Sequence, residues 1–179
     1  MASPRSAANT QFDPRTERIL AGLHPVAACG FRSAMSGWKE LAALHELDVQ
    51  LISGTRTLDE QHDLWLQGRG HPGPIVTNAD AGQSNHNYGI AADLGLFRGG
   101  RYLDDLAQQG VVTYGYCEQM YLSLVNAGER AGLTAGARWT SFQDEPHYEM
   151  RPKWAETMSE GAMIRELFRR HQEGIDVFV

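Results

Sequence analysis

Two long polar loops separate the regular parts of this chain, and they constrain its fold more than any other feature. Residues 69–83 are rich in Gly, Pro, Asn and Asp, and residues 132–145 form a second polar stretch. Each loop precedes a short segment typical of a β-strand, over residues 90–97 and 146–150. Loops of this length in compact domains are often functional, which makes the loop over 69–83 a candidate functional segment.

The periodic segments outside these loops predict helices and one further strand. Asp13 and Pro14 are typical of an N-cap followed by proline at the first helical position. Thr57 and Glu60 form a capping box at the start of another helix. Apolar residues at helical spacing predict three further helices, one that contains Phe31, Met35, Trp38 and Ala42 and two over about residues 113–132 and 159–171. Residues 49–52 predict a strand. The fold class is therefore α+β, a single domain with helices packed on a small, mainly antiparallel sheet.

Length and charge limit the classes of function. A chain of 179 residues suits one compact domain, which we place at residues 13–179 after a flexible N-terminal arm at residues 1–12. The formal net charge of −6 argues against nucleic acid as a partner. No stretch approaches the roughly 20 apolar residues of a spanning helix, so membrane insertion is not expected.

One segment carries two potential metal ligands. His86 and Asp93 are seven residues apart. On one straight strand they would be separated by roughly 23 Å, which is too far for one ion. The chain must therefore fold back between them, and Gly89 supplies the conformational freedom to do so.

A second cluster lies where the later polar loop meets its strand. It contains Asp144 and His147. Two histidines and one carboxylate would form a three-ligand site with a position left for water, the arrangement of catalytic rather than structural zinc. A spare carboxylate could then accept a proton from that water. Spacing alone leaves another interpretation open, in which His86 is a loop residue, Asp93 a turn cap and His147 a strand histidine.

The full pattern resembles a known family. Residues 84–93 read Ser-x-His-x-x-Gly-x-Ala-x-Asp, and residues 144–147 read Asp-x-Pro-His. This is similar to the signature of the zinc D-Ala-D-Ala carboxypeptidase and L-alanyl-D-glutamate peptidase family. Further similar blocks are Ser53–Thr57 with Glu60–Gln61, Gly73–Ala79 and Phe142–Pro152, and the last two resemble the phage endolysin branch most.

The resemblance implies a fold like that of hedgehog domains and D-Ala-D-Ala peptidases, with Zn²⁺ as the cofactor. It implies that His86, Asp93 and His147 bind this ion. It also implies catalytic roles for Asp144, as general base, and for Arg56, which would polarise the scissile carbonyl. Ser84 and Trp139 become candidates for substrate contacts.

One departure from the family pattern bears on the catalytic base. Glu145 stands where the family commonly has an aromatic residue, so two carboxylates are adjacent there. Whether Glu145 shares the role of Asp144 stays open.

Three functions are compatible with this pattern. The first is an endolysin-like, bacteriolytic peptidase that cuts the L-Ala–D-Glu bond of peptidoglycan stem peptides. The second is a D-Ala-D-Ala carboxypeptidase, and the third is a non-catalytic zinc-binding interaction module. Because residues 1–10 lack the apolar core of a secretory signal, we expect synthesis in the cytoplasm. A holin or secretion device would then release the enzyme to the cell wall or periplasm.

Overall fold

Helices on one five-stranded antiparallel sheet make up the fold. The computed structural model describes residues 12–140 and 142–179. Within them the helices are α1 (Pro14–Gly22), α2 (Pro25–Ala43), α3 (Leu58–Leu66), α4 (Leu103–Gln108), α5 (Tyr114–Arg130) and α6 (Glu160–Glu173). The strands are β1 (Asp48–Ser53), β2 (Ala91–Arg98), β3 (Arg101–Tyr102), β4 (Thr134–Ala135) and β5 (His147–Glu149). The predicted α+β fold class is confirmed.

The register of the sheet places Asp93 at its centre. The strands follow the order β1-β2-β5-β4, and β3 pairs with the far end of β2. Asp93 pairs with His147 of β5 on one side and with Ser53 of β1 on the other. Directly paired residues of antiparallel strands project from the same face of a sheet. The strands that follow the two long loops, β2 and β5, therefore lie side by side, with Asp93 and His147 on one face of the sheet.

The opposite face of the sheet carries the core. Side chains alternate along a strand, so Leu94 and Tyr148 point away from Asp93 and His147. Both are fully buried under the helices α1, α2 and α5. The Trp38 ring of α2 lies 4.7 Å from the Tyr148 ring, and its Nε1 donates to the Leu124 carbonyl at 3.1 Å. This packing leaves the Asp93 face free to form a site.

Local signals predicted the starts of the helices α1 and α3. The Asp13 side chain accepts from the backbone N–H groups of Arg15 and Thr16, and the capping box of Thr57 and Glu60 is complete. The sequence did not predict α4 or the 3₁₀ turn Asn85–Tyr88, because six and four residues are too few to show helical periodicity.

The predicted N-terminal arm, residues 1–12, lies outside the described residues except for Phe12. The Phe12 backbone N–H donates to Glu17 at 3.0 Å, and its side chain packs against the core. No helix in the described part of the chain is long and apolar enough to cross a membrane.

Candidate metal centre

Three side chains meet at the open face of the sheet. His86 Nε2, Asp93 Oδ1 and His147 Nδ1 form a triangle with sides of 3.3, 3.2 and 3.3 Å. These residues form a group able to hold a metal ion. Zinc bonds of roughly 2.0–2.1 Å in tetrahedral geometry place ligand atoms about 3.3 Å apart. Both the donor set and its spacing therefore fit zinc.

A tight turn brings His86 to the two strand residues. The 3₁₀ turn Asn85–Tyr88 ends at Gly89, which has a φ of 67°. That left-handed conformation favours glycine and reverses the chain before β2 begins. The His86 carbonyl also accepts from the backbone N–H of Arg56 at 3.1 Å, which fastens the turn beside the end of β1. The chain reversal predicted at Gly89 is confirmed.

Charge in this cluster favours a bound cation. Burial alone would raise the pKa of Asp93, but the two histidines outweigh burial and hold the pKa well below its usual range. Burial alone would lower the pKa of His147, yet the neighbouring carboxylates of Asp93 and Glu149 raise it to about 10. The negative potential that holds a proton on His147 would also favour a metal cation, which competes with protons for the same ligands.

Arg56 lies next to the cluster, at the end of β1. Its Nη2 donates to Ser53 Oγ at 2.7 Å and to Asp93 Oδ2 at 3.2 Å. Its Nη1 donates to Gln61 Oε1 at 3.1 Å, and the buried Gln61 in turn donates to the Ala79 carbonyl at 2.8 Å. The half-buried guanidinium is thus held in one orientation beside the metal-binding face.

Asp144 lies close to the same cluster. Burial raises the pKa of the Asp144 carboxyl and Asp93 adds to the rise, while His147 and His86 act in the opposite direction. A Cβ built on Gly136 would lie 3.0 Å from the Cβ of His147 and 3.3 Å from that of Asp144. The Cβ atoms of Asp144 and His147 therefore both lie against Gly136. A side chain at Gly136 would collide with them, so glycine allows this close packing.

An open cleft of about 970 Å³ contains every residue that the sequence singled out. Ser84 lines one wall, and the Trp139 ring lies 4.9 Å from the His147 ring. Glu145 also lines the cleft and borders a smaller cavity of about 320 Å³ beside Tyr121. The cleft is also lined by the three candidate ligands and the two candidate catalytic residues, His86, Asp93, His147, Asp144 and Arg56.

Comparison with known proteins identifies the family. A family model described as D-alanyl-D-alanine carboxypeptidase matches residues 77–150, which include His86, Asp93 and His147. The peptidoglycan L-alanyl-D-glutamate endopeptidase CwlK of Bacillus subtilis (strain 168) is 34% identical over 135 residues, 75% of this chain and 77% of that protein. The chain belongs to this peptidase family. Peptidases of the family are metallopeptidases, so the predicted enzyme class is confirmed.

A solved structure has a similar fold. The crystal structure of the Serratia marcescens L-Ala D-Glu endopeptidase ChiX matches with a TM-score of 0.50 and 19% sequence identity. The match covers 83% of this chain and 95% of that one. It agrees with the predicted fold, in which helices pack on a small antiparallel sheet.

One buried carboxylate of this family member was not singled out from the sequence. Glu149 is fully buried, and its Oε2 lies 3.5 Å from His147 Nε2. Residues two apart on a strand share a face. Glu149 follows the candidate ligand His147 by two positions in a predicted strand, so the sequence could have identified it as a neighbour of the site.

Proposed function

We propose that the protein is a zinc-dependent endopeptidase that hydrolyses the L-Ala–D-Glu bond in peptidoglycan stem peptides. His86, Asp93 and His147 would hold the ion. The observation that carries this proposal is the triangle of their ligand atoms, whose sides of 3.2–3.3 Å suit tetrahedral zinc. The activity named for CwlK, a relative of this chain, is of the same kind.

The surrounding residues supply the acid–base and electrostatic parts of the reaction. When bound, zinc provides Lewis acidity, which lowers the pKa of water and polarises a carbonyl. Asp144 accepts the proton of the attacking water and passes it to the leaving amine. The raised pKa that burial gives to Asp144 brings it closer to working pH and suits this exchange. Arg56 faces the oxygen of the scissile carbonyl, where its fixed guanidinium stabilises developing negative charge.

The charges of the cleft favour an endopeptidase over a carboxypeptidase. A carboxypeptidase must bind a free terminal carboxylate, which calls for a cation in addition to the metal. Among the described residues that line the cleft, Arg56 is the one lysine or arginine. Its guanidinium is already assigned to the oxygen of the scissile carbonyl, so it does not supply the second cation. The substrate of an endopeptidase continues beyond both sides of the cleaved bond, so its C-terminal carboxylate lies away from the cut.

The same cleft disfavours a non-catalytic zinc-binding module. Such a module would need the metal ligands alone, whereas here Asp144 and Arg56 adjoin them in an open cleft. Ser84 and Trp139 line that cleft and would contact the substrate. In the cell, the enzyme would act as an endolysin-like, bacteriolytic protein on the wall, delivered by a holin or a secretion device.

Metal analysis combined with turnover of purified sacculi tests this proposal. We expect one zinc per chain, and we expect a chelator to abolish turnover. His86→Ala and His147→Ala should lose both metal and activity. His45→Ala is the control, because His45 is exposed and lies outside the cleft. Full turnover by a metal-free preparation would refute the zinc mechanism.

A further inference from the structure

The ring of His147 has a second nitrogen that faces away from the proposed metal. Nδ1 points to His86 and Asp93, whereas Nε2 is buried on the other side. The nearest carboxylate oxygen to Nε2 is Glu149 Oε2, at 3.5 Å, and Nε2 has no closer hydrogen-bond partner among the described residues. Glu149 is thus the acceptor available to a proton on Nε2.

Neighbouring side chains hold Glu149 in this position. Asn85 donates through Nδ2 to Glu149 Oε2 and, at 2.6 Å, to Glu160 Oε1. Arg151 Nη1 lies 3.5 Å from Glu149 Oε1 and 2.9 Å from Glu160 Oε2. A fully buried carboxylate is costly unless it is paired and hydrogen-bonded. Here Asn85 donates a hydrogen bond to Oε2 and Arg151 lies within ion-pair distance of Oε1, which has no hydrogen-bond partner among the described residues.

In each histidine of the centre, one ring nitrogen faces the other ligands and the second, outward nitrogen faces away from them. The two histidines differ in the group that can accept a hydrogen bond from the outward nitrogen. His86 presents Nε2 to the cluster, and its Nδ1 lies 2.8 Å from the carbonyl oxygen of Gly54. His147 presents Nδ1, and its Nε2 faces the carboxylate of Glu149. The hydrogen bond on the outward nitrogen decides which nitrogen of a histidine keeps its lone pair for a metal. The chain therefore orients its histidines in opposite tautomers, with a carboxylate behind one of them.

We infer that Glu149 is a positioning residue for the metal centre. Building on the proposed zinc site, it accepts the Nε2–H of His147, directs the Nδ1 lone pair at the ion and adds negative charge behind the ligand. Asn85 keeps the carboxylate in place, and Asn85 directly precedes His86 in the chain. A purely structural role would differ, because Glu149 would then only tie β5 to α6 through Arg151 and Glu160.

Zinc affinity separates these two roles. Glu149→Gln keeps the shape of the side chain but removes its charge, and we expect zinc to bind about 10- to 100-fold more weakly, as for other carboxylates behind metal-bound histidines. Competition with a chromophoric chelator measures this affinity. Glu160→Gln is the matched control, since Glu160 shares Asn85 and Arg151 with Glu149, and it should bind zinc within about threefold of the wild type. Equal affinities of wild type and Glu149→Gln would overturn the inference, and so would equal losses in both variants.

A measurement on the unmodified protein covers the case in which Glu149→Gln does not fold. In zinc-loaded protein labelled with ¹⁵N-histidine, we expect a proton on Nε2 of His147 and a proton on Nδ1 of His86. An NMR spectrum with the proton on Nδ1 of His147 would overturn the inference. Absence of zinc binding by the wild type would instead refute the proposed function, so the two failures are distinguishable.

Discussion

Adjacent carboxylates at Asp144 and Glu145 raise the question of which one is the base. The Cβ atoms of Asp144 and His147 flank Gly136, and the charges of the metal-binding cluster act on the Asp144 carboxyl. Glu145 lies at the border between the cleft and the smaller cavity beside Tyr121. These surroundings support the proposal that Asp144, rather than Glu145, is the base.

Substitution of each carboxylate by its amide distinguishes them. Asp144→Asn should keep zinc, because this carboxylate is not among the three proposed ligands, while kcat falls by roughly 10²-fold or more. Glu145→Gln is the control and should retain most of the activity. Zinc analysis and muropeptide turnover on the same preparations measure both effects. If Glu145→Gln loses activity and Asp144→Asn retains it, the base is Glu145 and not Asp144.

Arg56 is expected to act on the transition state. Arg56→Lys keeps the positive charge but loses the planar fork that donates to Ser53, Asp93 and Gln61. We expect kcat to fall by about 10²- to 10³-fold with zinc content unchanged. Arg32→Lys is the control and should turn over normally, because the exposed Arg32 forms its forked pair with Glu17 outside the cleft. A near-normal rate for Arg56→Lys would remove Arg56 from the mechanism.

At the scale of elements, the turn before β2 positions His86. Gly89 has a φ of 67°, and a Cβ there would lie 3.1 Å from the backbone nitrogen of His24. Gly99 has a φ of 56° but open space around it, so it is a matched control. Alanine in a left-handed conformation costs about 1–2 kcal/mol at either position. We expect both variants to lose free energy of unfolding, and Gly89→Ala alone to bind zinc more weakly.

Urea unfolding and chelator competition measure these two quantities. The His86 carbonyl accepts from Gly89 N–H at 3.4 Å, so a shift at Gly89 reaches the ligand directly. Equal zinc affinities for the Gly89→Ala and Gly99→Ala variants would show that the turn does not control the position of His86.

Elements with a local signature could be predicted from the sequence. The proline and capping-box helix starts at Pro14 and Thr57 need only their own neighbours, and the motifs around His86 and His147 are also local. The pairing of Asp93 with His147 joins residues 54 apart in the chain, and their convergence was inferred from the family resemblance rather than from periodicity. The contact of Glu149 with His147 was missed, because its importance depends on which histidine nitrogen faces the cluster.

For the whole molecule, protonation of His147 couples stability to pH. In the metal-free protein, burial lowers the pKa of His147, but Asp93 and Glu149 outweigh burial and raise it to about 10. A raised pKa stabilises the fold below the unfolded value of about 6.5, and this contribution is lost as the pH rises through about 10. Zinc requires the neutral imidazole, so its affinity should increase over the same range.

We therefore expect zinc to raise Tm more at about pH 8 than at about pH 6, in thermal unfolding with and without the ion. His62→Gln is the control. The pKa of His62 is also raised, by its hydrogen bond to Asp80, but this exposed pair lies outside the metal-binding cluster. In the His62→Gln variant, the gain in Tm caused by zinc should depend on pH as it does in the wild type. An equal gain in Tm at both pH values would contradict the proposed role of His147 as a ligand.

The bond that is cut tests the central claim most directly. A defined muropeptide with a pentapeptide stem is incubated with the zinc-loaded protein, and the products are analysed by mass spectrometry. We predict a released fragment with a new amino-terminal D-Glu, with L-Ala left on the muramyl side, and no such product after chelation. Loss of only the terminal D-Ala would contradict this account and identify a carboxypeptidase instead.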